Sequence, residues 1–340
     1  MASLHHRIAC LALFTIGFFA PQLVLAQPAE EIKTRLFNEA PAKWEEYRSF
    51  AKQLQGTATW RLTTTRSGSP PEESRFEEHY KQNGQSALVV SLLTSPSALD
   101  NHVYGTNSKY SFKLNRSDTS RDWLLDKLGS ASDAKITDTG ESAADFVLDH
   151  VSQHFFMGRL HVSKVVADQS FRIKQIGFVT RDSQQFVQVE FDVQPRTVNG
   201  RNYPLQFGWM LLDPDHYWYV REYEAKIVAS GGSGTDRWNN VVTLDKKGRP
   251  ILERVVAHGE TKTAKVTLIE DSTCEYKLAA DTKVPDSEFT LTAFGLPEPA
   301  GVTWKRSRTW IWLLVAGVGA AVLAVVFHRL KRQRALAAVK

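Results

Sequence analysis

Tyr203-Pro-Leu-Gln-Phe-Gly-Trp-Met-Leu-Leu-Asp-Pro-Asp-His-Tyr-Trp-Tyr-Val-Arg-Glu-Tyr-Glu-Ala-Lys-Ile-Val228 is the stretch on which the fold turns. Two runs rich in aromatic and aliphatic residues, 203–212 and 216–228, flank the turn former Asp213-Pro-Asp, and this predicts an antiparallel hairpin. The same grammar continues on both sides. Upstream, strands are predicted at 170–181 and 185–194; downstream, at 237–244, 250–258, 262–271 and 273–278, with Gly231-Gly-Ser-Gly as a loop and Asp245-Lys-Lys-Gly248 as a turn. The first half adds 57–66, 75–82, 86–93 and 109–115, with Asn83-Gly84 marking a tight hairpin. Helical spacing is confined to 30–55, interrupted by Pro41, to a short turn at 123–128, and to 141–157. At least ten strands at hairpin spacing with few helices give the α+β class: a large, curved antiparallel β-sheet with helices on one face.

The two ends set the expected location. Residues 310–327 are eighteen uncharged, mostly apolar residues, bracketed by Lys305, Arg306 and Arg308 before and Arg329, Lys331, Arg332 and Arg334 after. At 1.5 Å per residue they span roughly 27 Å, close to the hydrocarbon core of a bilayer, and predict a transmembrane helix. Trp304, Trp310 and Trp312 suit a membrane interface. Residues 1–26 carry Arg7, an apolar run and Val24-Leu25-Ala26, the pattern of a signal peptide cut after Ala26; an uncleaved anchor is the alternative. The expected layout is a signal peptide (1–26), an extracytoplasmic domain (27–294), a Pro-rich stalk (295–309), the membrane helix (310–327) and a basic cytoplasmic tail (328–340). Flanking charges favour this orientation by only four to three, so the signal peptide decides it.

Charge and cysteine use exclude several functions. The chain has 42 Lys and Arg against 37 Asp and Glu. Removing Arg7 and the five basic tail residues leaves 36 against 37, so the outer portion has no cationic excess with which to grip nucleic acid. With Cys10 in the leader, the mature chain keeps Cys274 alone, which excludes an intrachain disulfide and reads as a packed strand residue.

Catalytic patterns are weak. His150 and His154, four apart with Asp149 beside them and His161 downstream, permit a metal pair on a helix; Val151 stands where a zinc hydrolase helix needs glutamate. They read as ordinary histidines, and no metal ligand is assigned. Gly317-Val-Gly319 falls in the apolar segment, and Gly231-Gly-Ser-Gly lacks the lysine of a phosphate loop, so no cofactor is expected. Ala316, Gly317, Gly319, Ala320, Ala321 and Ala324 form a small-residue stripe along the same segment, compatible with helix association. The suggestive cluster is aromatic. Phe207, Trp209, Tyr217, Trp218 and Tyr219 load both faces of the predicted hairpin with apolar bulk, and are the candidate ligand-binding residues; the face not in the core must be covered by helices, a partner or a ligand.

The element order over roughly 30–290, with phrases such as Leu212-Asp-Pro-Asp-His-Tyr-Trp-Tyr-Val and Leu244-Asp-Lys-Lys-Gly-Arg-Pro-Ile-Leu, resembles the LolA-like half-barrel superfamily of periplasmic lipoprotein carriers and envelope-stress regulators. The resemblance implies a concave apolar face that holds an acyl chain or a peptide; the membrane segment departs from the soluble carriers. The expectation is therefore a non-catalytic, membrane-tethered binding domain for an apolar ligand or partner segment. The alternative is a structural or signalling envelope module working through protein contacts, and more remotely a metal hydrolase.

Overall fold

A computed structural model describes residues 28–302, except 94–100, 118–119, 132–135, 138–139, 159, 195, 199–200, 204, 230–231 and 281–282, together with 317, 319 and 320. The leader, the tail and nearly all of the 310–327 segment lie outside the described residues. Among the described residues no helix is long and apolar enough to cross a membrane.

One antiparallel sheet organises the chain. Its strands are β1 (Gln55–Arg66), β2 (Glu72–Asn83), β3 (Ser86–Leu93), β4 (Asn101–Thr106), β5 (Tyr110–Arg116), β6 (Leu124–Ser130), β7 (Arg172–Arg181), β8 (Gln184–Asp192), β9 (Leu205–Asp213), β10 (Tyr219–Ala229), β11 (Gly232–Leu244), β12 (Pro250–Thr263) and β13 (Thr267–Ala279). In space they run β6-β5-β4-β3-β2-β1-β13-β12-β11-β10-β9-β8-β7. Every neighbour is sequential except at the seam, where β1 pairs with β13 over its whole length, from Gln55 against Ala279 to Arg66 against Leu268. The order leaves β6 and β7, consecutive in sequence, at opposite edges. This is the large antiparallel sheet with few helices that the alternating runs predict.

Four helices cover one face. Pro41 sits in the first turn of α2 (Ala40–Ala51), and therefore separates it from α1 (Ala29–Asn38) without cost, because the first turn needs no amide donor there. Between β6 and β7 the chain crosses this face as α3 (Ala143–Val151), a 3₁₀ turn and the short α4 (Val162–Val166). Ser142 caps α3, its hydroxyl accepting from the Asp145 amide at 3.0 Å. The main core lies beneath: Ile32, Leu36, Trp44 and Tyr47 from α1 and α2, Val147, Val151 and Phe155 from the excursion, and Tyr80, Val89, Val187, Met210, Tyr223 and Cys274 from the sheet. Each such side chain contributes roughly 1.5–3 kcal/mol when fully withdrawn from water.

On the opposite face a second cluster joins Leu88, Val103, Tyr110, Phe112 and Leu114 to Val284, Phe289 and Leu291. After β13 the chain folds back as a strap over β3–β5. It is tied by Asn107 Nδ2 donating to the Phe289 carbonyl (2.8 Å), by the Tyr110 hydroxyl donating to Glu298 (2.6 Å) and accepting from the Leu291 amide (3.0 Å), and by Lys81 to Glu288 (2.7 Å). Leu296 and Val302, in the stretch predicted as a stalk, pack against this cluster, so the ordered unit runs past residue 294.

Three local expectations differ from the structure. Residues 124–130 form a strand, not a helical turn: a bulge at β5–β6 admits one extra residue, Asp126, so that Leu125 and Leu128, paired with Leu114 and Phe112, share a face despite helix-like spacing. Gly232 and Gly234 belong to β11, not to a loop; a Cβ on Gly234 would stand 2.0 Å from the Glu260 carbonyl oxygen, so glycine permits the close pairing with β12. Residues 267–279 form one continuous strand, because Ser272, the predicted break, pairs with both Leu62 and Ala257.

Candidate functional site

The five candidate aromatic residues divide between the two faces. Tyr217 and Trp218 are not in a strand. Both have left-handed backbone (φ 64° and 54°) at the bend between β9 and β10, so the alternation expected from sequence fails there. Asp213 holds the bend: its carboxylate accepts from the amides of Asp215 and His216 (both 3.1 Å) and from Gln184 Nε2 (2.6 Å). Trp218 and Tyr219 are then driven into the main core, 1% and 4% exposed. Trp44 Nε1 donates to the Trp218 carbonyl at 3.1 Å, and the Tyr217 hydroxyl donates to Glu46 at 2.9 Å. This bend is the seat of α1 and α2, and its aromatic rings are consumed by the protein's own packing.

Phe207 and Trp209 point the other way, onto the outer face. Strand register places Phe207 between Asp192 and Lys226, and Trp209 between Glu190 and Glu224. Phe207 is 46% exposed and Trp209 half-buried. Lys174 lies 5.8 Å from the Phe207 ring centre and is paired to Asp192 at 2.9 Å; Arg181 lies 5.8 Å from the Trp209 ring centre and is paired to the buried Glu222 at 2.7 Å, which Arg237 also grips at 2.7 Å. Gly208, between the two rings in sequence, faces the helix-covered side with its strand partners Phe191 and Ala225, and a Cβ there would stand 2.1 Å from the Glu224 carbonyl oxygen. The result is an open depression of about 370 Å³ with Phe207, Gly208 and Trp209 as floor and Lys174, Glu190, Glu224, Lys226 and Thr235 around it.

Beneath α2 and α3 lies a small polar cavity of about 60 Å³, lined by Tyr47, Arg48, Glu141, Asp149, Ser152, His161 and Lys164. Burial, reinforced by the charges of Glu141 and Asp145, pushes the Asp149 carboxyl up to about 7. Burial, with Arg48 and Lys164 adding to it, holds His161 down at about 3. His154, fully buried against Tyr47, Phe155 and Tyr219, is likewise held at about 3 by burial. Neither ring nitrogen of His154, nor the Tyr47 hydroxyl, meets a hydrogen-bond partner. A cavity of this size accommodates a few waters and no substrate.

His150 and His154 do not converge. α3 ends at Val151; His150 stacks on Phe146 at 4.0 Å, with Nδ1 2.8 Å from the Phe146 carbonyl, while His154 lies in the following 3₁₀ turn among aromatic rings. Among the described residues no group of three or more His, Cys, Asp or Glu side chains is placed to hold a metal. Cys274 is fully buried and burial pushes its thiol pKa up, which makes it an inert core residue. Asp149 and the cavity around it carried no signal in the sequence beyond proximity to the histidines, since burial creates the perturbation.

No family model matches the chain, and no curated protein is similar to it. Solved structures are. A DUF1329 family protein from Desulfovibrio piger is 10% identical, with the match covering 75% of this chain and 98% of that one at a TM-score of 0.37. A LolA superfamily protein from Nitrosomonas europaea is 12% identical over 74% and 97% at 0.33. A putative outer membrane lipoprotein-sorting protein domain from Vibrio parahaemolyticus is 9% identical over 74% and 96% at 0.38. The likeness to the LolA-like group read from element order is thus present among solved structures. At these identities and scores it concerns architecture alone.

Proposed function

We propose that residues 28–302 form a non-catalytic, extracytoplasmic binding domain, tethered to the membrane by the apolar stretch 310–327, which takes an extended partner segment on its outer face at Phe207 and Trp209. One observation carries this reading: two large aromatic rings, Phe207 exposed and Trp209 half-buried, lie on the outer face of one strand, while Tyr217, Trp218 and Tyr219 are occupied by the protein's own helices. Exposed aromatic rings set among arginine, lysine and carboxylate side chains are the composition of protein contact sites. An acyl chain prefers an enclosed apolar pocket, and this depression is open with a rim of both charge signs. The helix-covered face, where the half-barrel resemblance would put a lipid, is filled by Trp44, Tyr47, Phe155 and Trp218.

The test replaces Phe207 with a photoreactive benzoylphenylalanine in cells and identifies the adduct by mass. A discrete protein adduct that disappears with Trp209→Ala supports the reading. A lipid adduct supports the acyl-chain alternative. An adduct unaffected by Trp209→Ala, or the same pattern from a probe at the distant Leu244, overturns the assignment of this depression.

A further inference from the structure

The outer-face cluster beneath the strap is not closed. Phe112 and Leu114 are buried, but their partners on the edge strand, Leu128 and Leu125, are 48% and 46% exposed, and Leu124 at the strand's start is 68% exposed. Trp123 precedes them, packed edge-on against Phe294 of the strap (5.9 Å) with the Arg116 guanidinium 4.4 Å from its ring centre. Apolar surface therefore continues from the buried strap cluster out to the rim of the sheet, where leucine, tryptophan and arginine stand together. An exposed run of leucines on a sheet edge marks a contact surface.

We propose that this rim, β6 with Trp123, Leu124, Leu125 and Leu128, rests on the bilayer surface. The inference rests on the tethered reading above and adds the orientation of the domain. Three features favour lipid over another occupant. First, the chain leaves the strap at Val302, and Trp310 is eight residues further, a reach of at most roughly 28 Å, so the strap side of the sheet stays close to the point of membrane entry. Second, the connecting residues Trp304, Lys305, Arg306 and Arg308 and the rim residues Trp123, Arg116 and Arg121 share one chemistry, indole rings and cations, which suits the headgroup layer. Third, Asp126 bulges from β6 and is paired to Lys113 at 3.1 Å, which spoils the edge for addition of a partner strand while leaving the leucines free to dip into lipid.

The full-length chain in liposomes of phosphatidylethanolamine and phosphatidylglycerol tests this. A single environment-sensitive fluorophore is attached at Leu128→Cys or, for reference, at Leu244→Cys, in a Cys10→Ala background; Cys274 is buried and does not compete. Nitroxide-labelled lipids should remove most of the emission at position 128 and little at 244. A label placed at Leu124→Cys should lose its quenching when Leu125→Asp and Leu128→Asp are introduced together, substitutions of exposed side chains that leave the core intact. Release of the chain from the vesicles by alkaline carbonate refutes the tether and the orientation with it. Stable insertion with equal, weak quenching at 128 and 244 refutes the orientation alone. A shielded but unquenched label at 128 assigns the rim to a protein contact and also overturns the proposal.

Discussion

Phe289→Ala measures how firmly the strap belongs to the domain. Phe289 is fully buried between the strap and β3–β5, among Leu88, Val103, Phe112 and Leu291. Truncating a phenylalanine in a closed core costs about 3–5 kcal/mol. The polar ties do not replace it: the Lys81–Glu288 pair is well exposed and worth about 0–1 kcal/mol, and the Asn107 bond to the Phe289 carbonyl about 1 kcal/mol. Since the strap follows β13 and the thirteen strands pair without it, the loss should appear as local release rather than collapse of the sheet. Hydrogen exchange on the full chain reads this directly. Amides of 284–302 and of β3–β5 should lose protection in Phe289→Ala, while β8–β10 keep theirs. Phe191→Ala, in the main core, should instead lower protection throughout. If Phe289→Ala behaves as a surface substitution, within about ±0.5 kcal/mol, the second core does not stabilise the strap and the reasoning fails.

Three further outcomes follow from the same structure. The raised Asp149 pKa means that the folded state holds this proton more tightly than the unfolded chain does, so stability declines as pH rises from about 3.8 to about 7; Asp149→Asn should remove that decline, and a melting profile unchanged by the substitution would refute it. His154 has the opposite sign: its depressed folded pKa makes stability fall as pH drops from 6.5 toward 3, and His154→Phe, which also removes two unpartnered ring nitrogens, should be neutral or stabilising at pH 7 and flatten the acid limb of chemical denaturation. Gly208→Ala drives a methyl into the Glu224 carbonyl and should cost on the order of 1–3 kcal/mol in urea titration, whereas Phe207→Ala, at an exposed ring, should stay within about 0.5 kcal/mol.

Alternation along 86–93, 185–194 and 203–212, punctuated by Asn83-Gly84 and Asp213-Pro-Asp, is a local signal, and it carried the strand content and the antiparallel class. Pattern failed where a partner strand overrode it: at 124–130, whose leucines read as helical until the bulge at Asp126 is known, and at Gly232 and Gly234, whose backbone is pressed against β12. The candidate site was half legible. Aromatic enrichment pointed to the right hairpin, but αL geometry at Tyr217 and Trp218 decided that these rings seat helices while Phe207 and Trp209 remain outside.

By itself the sequence determined that this is an α+β chain of many antiparallel strands carrying an apolar segment near each end; both follow from composition and short-range periodicity. Only the tertiary structure decided the seam between β1 and β13, the strap returning over β3–β5, and the burial that raises Asp149 and depresses His154 and His161. Each of those depends on groups scores to hundreds of residues apart being brought together, and removal from water acts on a side chain through its neighbours in space, which local pattern does not encode.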